Sequence, residues 1–280
     1  MRARVLAQVA PDAGLFFRGV GAVVRASRVL PDDLTSDALT ADFRLLQRRR
    51  GHRFSVDDLA TAWVAARARP GARVALDLGC GIGSVLLMIA WRLREARCFG
   101  IEAQEISFGL AQRNVIANGV ADRVTVALGD LRELARADAY LPCDLVTGTP
   151  PYLPLGTALP SPDPQRAAAR IELRGGVEAY LLAASRVLAP DGLAVVCADG
   201  RHPERVIRGA AAAGLALLQR VDICPRVDAP DPLFAVWTCA RLDATLPRAL
   251  DVERVMMRDA RGERSEAALA MRRAFGLDIV

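Results

Sequence analysis

The sequence contains no lysine, so all 37 of its basic residues are arginine. Against 32 acidic residues they give a formal net charge of +5 and a sequence pI of about 9.2. This charge is compatible with a nucleic-acid partner, because guanidinium groups bind phosphates and base edges. Many basic proteins bind no nucleic acid, and we attribute most of the arginine content to the composition of the source genome.

Long hydrophobic runs are also missing. No stretch of 18 or more uncharged apolar residues occurs, so no transmembrane helix is expected. The basic first residues are followed by an apolar stretch that Pro11, Asp12 and Arg18 interrupt. We therefore expect no signal peptide and a cytoplasmic protein.

The six cysteines lack any C-x-x-C spacing, and the two histidines, His52 and His202, lie far apart in the sequence. This pattern predicts no zinc site and no other metal centre. Four cysteines lie in or beside apolar runs, where we expect small, reduced core residues; they are Cys98, Cys143, Cys197 and Cys239.

The most informative stretch is a strand pattern that ends near Asp77, followed by glycine at every second position. An apolar helix pattern then opens on Ser84, the expected N-cap. Glycine allows a backbone to approach a ligand closely. The spacing G-x-G-x-G differs from the dinucleotide pattern G-x-G-x-x-G, because Ser84 replaces the last glycine. The Asp77 carboxylate would repel a pyrophosphate and attract a cation such as S-adenosylmethionine. The alternative is an ordinary glycine-rich turn.

The next strand pattern ends on Glu102, about 20 residues later, where nucleoside-binding sheets hold ribose hydroxyls. The runs D-L-G-C-G-I-G-S, G-I-E-A and G-D-L together resemble class I S-adenosylmethionine-dependent methyltransferases. The resemblance implies that Asp77 orients the amino-acid end of the cofactor, that Glu102 binds its ribose and that Asp130 flanks its adenine. The complete implied cofactor set is Asp77, Gly79, Cys80, Gly81, Gly83, Glu102, Ala103, Asp130, Leu131 and Thr149.

Strand and helix patterns alternate from residue 73 onward, which predicts an α/β fold with an open parallel sheet. The two strands near 215–223 and 234–241 have no helix pattern between them and should form an antiparallel hairpin. The resemblance implies a Rossmann-like class I methyltransferase fold, a seven-stranded, mostly parallel sheet with an antiparallel last strand and helices on both faces. We divide the chain into an N-terminal extension, residues 1–42, partly helical near 15–30, and a methyltransferase domain, residues 43–280.

The fourth strand pattern of this core leads into Thr149-Pro150-Pro151-Tyr152. This run resembles the N-P-P-Y motif of methyltransferases that modify a planar amide or exocyclic amino nitrogen. The motif implies catalytic roles for Thr149, Pro150 and Tyr152 and substrate contacts for Pro151 and Tyr152. Catalysis then rests on orientation of the target nitrogen rather than on a strong base. Threonine in place of asparagine offers fewer hydrogen bonds, and one lost contact would cost about 1–3 kcal/mol.

Three further segments resemble the family that methylates adenine N6 in the anticodon loop of a valine tRNA. They are H-R-F-S-V-D-D-L-A-T-A-W, with a helix expected to begin after Ser55, the A-R pair near Arg170, and a terminal helix over 263–275 after a strand near 250–257. Arg166 and Arg170 would share a helix face and could contact RNA. The resemblance implies RNA, in particular tRNA, as the partner. A protein glutamine amide, a small molecule or a binding protein without turnover remain alternatives.

Overall fold

The structure is a computed structural model that describes residues 32–134, 142–243 and 249–277 of the 280-residue chain. Its strands are β1 (Leu34–Ala38), β2 (Arg44–Arg48), β3 (Val74–Leu78), β4 (Arg97–Glu102), β5 (Val124–Leu128), β6 (Cys143–Gly148), β7 (Leu188–Asp199), β8 (Leu215–Cys224), β9 (Phe234–Arg241) and β10 (Asp251–Met256). Its helices are α1 (Val56–Ala68), α2 (Ser84–Arg92), α3 (Glu105–Ala117), α4 (Pro164–Arg170), α5 (Val177–Val187), α6 (Pro203–Ala212) and α7 (Glu266–Arg273).

Eight of these strands form one sheet, in the order β10-β8-β9-β7-β6-β3-β4-β5. Neighbouring strands are parallel except at β9, which runs antiparallel to both β7 and β8. Two hydrophobic clusters cover the sheet. One contains residues of α1, α2 and α3, and the other contains residues of α5 and α6. The predicted α/β fold, mostly parallel with helices on both faces, is confirmed.

The strand count differs from the prediction, because the sheet has eight strands and the antiparallel β9 lies inside it. The eighth strand is β10, which pairs in parallel with β8 from Asp251 opposite Gln219 to Met256 opposite Cys224. This pairing satisfies the backbone edge of β8 and buries Val255. The sequence predicts a strand near 250–257, where β10 lies, but it carries no signal that this strand pairs with β8.

The chain order reverses between β3 and β6, which are parallel neighbours at the centre of the sheet. In open α/β sheets such a switch point opens a crevice at the carboxyl ends of the strands. The two strands are joined there by a side-chain contact, in which Thr147 Oγ1 donates to Asp77 Oδ1 at 2.8 Å. Both side chains are buried, so the floor of the crevice is polar and closed to solvent.

Strands β1 and β2 form a separate antiparallel hairpin that packs on α3. The Asn114 side chain accepts from the Leu46 backbone N–H at 2.7 Å and donates to the carbonyls of Leu46 and Ile82. The hairpin crosses the proposed division at residue 42, and that division stays a prediction. Residues 1–31, including the expected helical segment, lie outside the described residues.

The described ranges have three further properties. None of the helices there is both long and apolar enough to cross a bilayer. No group of three or more His, Cys, Asp or Glu side chains in the same ranges has the geometry to hold a metal ion. All six cysteines are buried.

Candidate functional site

A cavity opens above the carboxyl ends of β3, β4, β5 and β6, with an empty volume of about 870 Å³ that includes its open mouth. The glycine turn after β3 forms its floor, and α4 covers it from the opposite side. Nine of the residues predicted for the site lie on its walls: Gly79, Cys80, Gly81, Glu102, Ala103, Asp130, Leu131, Thr149 and Pro151.

The glycine turn has the backbone conformation that its sequence predicts. Gly79, Gly81 and Gly83 have φ values of +59°, +57° and +89°, which strain any residue with a Cβ. Gly83 rather than Ser84 is the N-cap of α2, so the predicted cap is wrong by one residue. A side chain at position 84 is thereby free to face the cavity instead of capping the helix.

Glu102 fastens this turn to the end of β4. One of its carboxylate oxygens accepts from the Gly81 backbone N–H at 2.9 Å, and the other accepts from the Gln104 N–H at 2.7 Å. Burial raises the pKa of Glu102, and these backbone donors oppose the rise. The carboxylate is thus held rigidly on the cavity wall.

Asp77 lies beneath the turn and does not reach the cavity wall. Its side chain is only 3% exposed, and burial raises its pKa to about 7 against the opposing effect of the Thr147 hydroxyl. Gly83 also lies off the wall. The structure therefore places Asp77 and Gly83 behind the residues that would touch a ligand.

The sequence interpretation missed Asp58, which reaches the cavity wall from α1. The helix begins after Ser55, as predicted, and the Ser55 backbone N–H donates to Asp58 Oδ2 at 3.3 Å. Burial, reinforced by Asp57, raises the pKa of Asp58, while Ser84 lowers it through a side-chain hydrogen bond. Acidic residues in a first helical turn have a local explanation in helix capping, which concealed this placement.

The charges on the walls suit a cationic ligand. Asp58, Glu102 and Asp130 are acidic, and within the described residues Arg174 is the one arginine on the wall. His52 also lies on the wall, and burial is the main cause that lowers the pKa of its imidazole. Carboxylates around a concave site attract cations and accept hydrogen bonds from hydroxyl groups. The donor set therefore fits the ammonium, sulfonium and ribose groups of S-adenosylmethionine.

Helix α4 roofs the cavity with Gln165, Ala168 and Ala169. The Gln165 side chain is fully buried and its Nε2 donates to Ser107 Oγ at 3.2 Å, which joins the roof to α3. Arg166 and Arg170 lie on the exposed face of this helix and do not line the cavity. Both charges still act on the wall residue His52, because they add to burial in lowering its pKa.

The T-P-P-Y run divides the main cavity from a smaller one of about 240 Å³. Thr149 and Pro151 line the main cavity, whereas Pro150, Pro151 and Tyr152 line the smaller one. The Tyr152 hydroxyl lies 3.1 Å from Asp57 Oδ2 and 2.7 Å from Cys197 Sγ. Burial raises the pKa of Tyr152, so the phenol is protonated and its hydroxyl is anchored to the protein.

The known proteins that are similar to this chain are methyltransferases. Residues 75–172 match a family model described as a methyltransferase domain. A Shewanella loihica relative named tRNA1(Val) (adenine(37)-N6)-methyltransferase is 30% identical over 212 residues, covering 74% of this chain and 86% of the relative. A Porphyromonas gingivalis relative of the same name is 35% identical over 119 residues, covering 42% of this chain and 46% of that protein. The chain thus spans about half the length of the Porphyromonas protein.

A release factor glutamine methyltransferase from Geobacter sulfurreducens is 31% identical over 176 residues, covering 60% of this chain and 57% of the relative. Among solved structures, an Agrobacterium tumefaciens protein described as a predicted O-methyltransferase superposes with a TM-score of 0.58 at 18% identity. The superposition covers 80% of this chain and 98% of the Agrobacterium protein. At this sequence identity the similarity shows the fold alone. From its similarity to the Shewanella protein, the chain belongs to the family of class I methyltransferases named tRNA1(Val) (adenine(37)-N6)-methyltransferase.

Proposed function

We propose that this protein transfers a methyl group from S-adenosylmethionine to an exocyclic amino nitrogen of a base in RNA, namely adenine N6 in tRNA. The observation that carries the proposal is that Thr149 and Pro151 share one cavity with the glycine turn and Glu102. When bound, the cofactor supplies an electrophilic methyl group on a positively charged sulfur. A tRNA substrate would place the protein in the cytoplasm.

The residues that line the main cavity are those that would hold the cofactor. The backbone of Gly81 lies open to a ligand, because a Cβ there would meet no atom within 4 Å, and Gly79 and Cys80 line the same wall. Glu102 and Ala103 would receive the ribose, and Asp130 and Leu131 would flank the adenine. Asp58 and the deeper Asp77 would compensate the positive charge of the cofactor.

The target nitrogen would be oriented by the T-P-P-Y run. The Thr149 hydroxyl has two lone pairs and has no partner among the described residues, so it can accept one N–H of the substrate. The Pro150 carbonyl would accept the other. With both hydrogens fixed, the nitrogen lone pair is directed at the methyl carbon, and orientation supplies the rate enhancement. Pro151 and Tyr152, with its anchored hydroxyl, would form the surface against which the base lies.

The exposed charges support an RNA substrate. Arg166 and Arg170 lie on the exposed face of the roof helix, and the chain has a net charge of +5. Phosphates of a tRNA would contact such arginines and guide the target base toward the cavity.

A glutamine side chain of a protein is the second candidate substrate. Its amide, like adenine N6, is a planar nitrogen with two hydrogens, and the same two acceptors would orient it. The similarity to a release factor glutamine methyltransferase favours this alternative. A small-molecule substrate and a binding protein without turnover are weaker alternatives.

The first experiment tests both the cofactor and the substrate. Purified protein is incubated with labelled S-adenosylmethionine and with unmodified tRNA, DNA or protein pools, and labelled products are digested to monomers. N6-methyladenosine from tRNA is the expected product, and label in glutamine would select the alternative. Glu102→Ala should weaken cofactor binding at least about 10-fold, whereas the exposed Glu95→Ala serves as the matched control. Equal affinities of these two variants would reject the proposed site.

A further inference from the structure

Tyr180 of α5 crosses the floor of the main cavity in a space that two glycines leave open. A Cβ at Gly148, the end of β6, would lie 2.6 Å from Tyr180 Cδ1. A Cβ at Gly79, just after β3, would overlap the Tyr180 hydroxyl. The absence of side chains at these two positions therefore allows the ring to pass under the glycine turn and reach the cavity wall.

The Tyr180 hydroxyl has no hydrogen-bond partner among the described residues, although the residue is only 7% exposed. Four polar side-chain atoms of the described residues are fully buried without a partner, and this oxygen is not one of them, so it keeps contact with solvent and a ligand that displaced the solvent would have to supply its hydrogen bond. The other tyrosine of the site shows the contrast, because the Tyr152 hydroxyl contacts both Asp57 and Cys197. The phenol of Tyr180 is thus available to a ligand in a way that the phenol of Tyr152 is not.

The groups around this hydroxyl define which atom it would bind. Burial raises the pKa of Tyr180 far above its ordinary value, and the neighbouring carboxyl groups of Glu102, Asp77 and Asp130 raise it further. The phenol consequently keeps its proton at any working pH and acts as a donor. Ionised carboxylates only accept, so an acceptor oxygen of the ligand beside Glu102 and Asp130 would need a donor such as this hydroxyl.

We propose that Tyr180 is a cofactor-binding residue whose hydroxyl donates a hydrogen bond to an acceptor oxygen of the bound cofactor, in its ribose or its carboxylate. The inference rests on the proposed function, because it requires S-adenosylmethionine in the main cavity. It adds a contact that comes from α5 and lies outside the glycine turn, the two acidic strand ends and the T-P-P-Y run.

The test is Tyr180→Phe, which removes the hydroxyl and keeps the ring that fills the space beside Gly148. Binding of S-adenosylhomocysteine is measured by calorimetry, and the melting temperature is measured without ligand. The affinity should fall about 3- to 10-fold, the effect of one hydrogen bond. The melting temperature should stay the same or rise, because no protein contact within the described residues is lost.

Ser185→Ala is the matched control, since Ser185 lies on the same helix and its hydroxyl donates to the Leu182 carbonyl. It should leave the affinity for S-adenosylhomocysteine unchanged. Repeating the titration with methylthioadenosine, which lacks the amino-acid portion, places the acceptor oxygen. If Tyr180→Phe also loses affinity for methylthioadenosine, the acceptor oxygen belongs to the ribose. If it loses affinity only for S-adenosylhomocysteine, the acceptor oxygen belongs to the carboxylate.

Two negative outcomes are distinguishable. If the unaltered protein binds S-adenosylhomocysteine and Tyr180→Phe binds both ligands equally well, the inference about Tyr180 is wrong and the proposed function stands. If the unaltered protein binds neither ligand, the proposed function fails and the inference falls with it.

Discussion

Arg48, the last residue of β2, forms an ion pair with Asp163, its Nη1 lying 2.9 Å from Oδ2. Asp163 is also the N-cap of α4, where its other oxygen accepts from the Arg166 backbone N–H at 3.0 Å. A single carboxylate thus starts the roof helix and attaches it to the hairpin. The cavity roof depends on a contact between residues that are more than a hundred positions apart in the chain.

Replacing Asp163 should therefore separate these two roles. Asp163→Asn keeps an oxygen for the helix cap and loses the ion pair, and it should reduce the free energy of unfolding by less than about 1 kcal/mol. Asp163→Ala loses both and should cost about 1–2 kcal/mol. Urea unfolding measures the difference. Equal costs for the two variants would show that the cap contributes nothing.

The buried carboxyl of Asp77 should make stability depend on pH. Its pKa is about 7 in the folded protein, raised by burial, and near 3.8 when unfolded, so the folded state holds one more proton between these values. The free energy of unfolding should consequently fall as the pH rises from 4 toward 7. Asp77→Asn, which avoids the buried charge, should become more stable than the unaltered protein by up to about 4 kcal/mol at pH 8. Melting temperatures of both proteins from pH 4 to 8 check this, and a pH-independent difference would contradict it.

Gly148 should be intolerant of any side chain while Tyr180 is present. Gly148→Ala would bring a methyl group to 2.6 Å from the Tyr180 ring, and overpacking of this kind costs about 1–3 kcal/mol. The double variant with Tyr180→Ala should recover part of that cost, because the ring that clashes is gone. A double-mutant cycle by chemical unfolding measures the coupling. Additive effects would mean that the two residues do not meet.

Thr149 is the position at which activity on tRNA should respond to one substitution. Thr149→Asn restores the asparagine of the N-P-P-Y motif, whose amide oxygen reaches further than the threonine hydroxyl, and a better-formed hydrogen bond to the same substrate hydrogen should raise the rate about 10-fold or more. Single-turnover methylation of unmodified tRNA measures the effect. A gain from no detectable activity would indicate a degenerate enzyme. An active parent that gains nothing would show that the threonine hydroxyl suffices.

Much of this molecule could be predicted because its signals are local. The Ser55 helix start and the left-handed glycines follow from the conformational preferences of residues adjacent in sequence. The order of the strands around the glycine turn follows from the alternation of elements. These features brought Glu102 and Thr149 to one cavity, as expected from the rule that parallel strands end at one edge.

The remaining features depend on contacts between distant parts of the chain. Asp58 looked like a capping residue, and only the packing of α1 beside α2 turns its carboxylate into a cavity wall. Nothing in the sequence around Tyr180 indicates the two glycines that its ring crosses, because Gly79 and Gly148 belong to distant parts of the chain. The pairing of β10 with β8 similarly has no local signal.

The hairpin β1–β2 has a consequence for the order in which the protein is assembled. Four of its partners, Asn114, Asn118, Gln165 and Phe275, are encoded later in the chain. A two-stranded hairpin is marginally stable by itself in water. During translation it must therefore wait, after leaving the ribosome, for α3, then α4 and finally the segment after α7. The hairpin therefore docks only after the segment that follows α7 has been made, although it belongs to the first described elements of the chain.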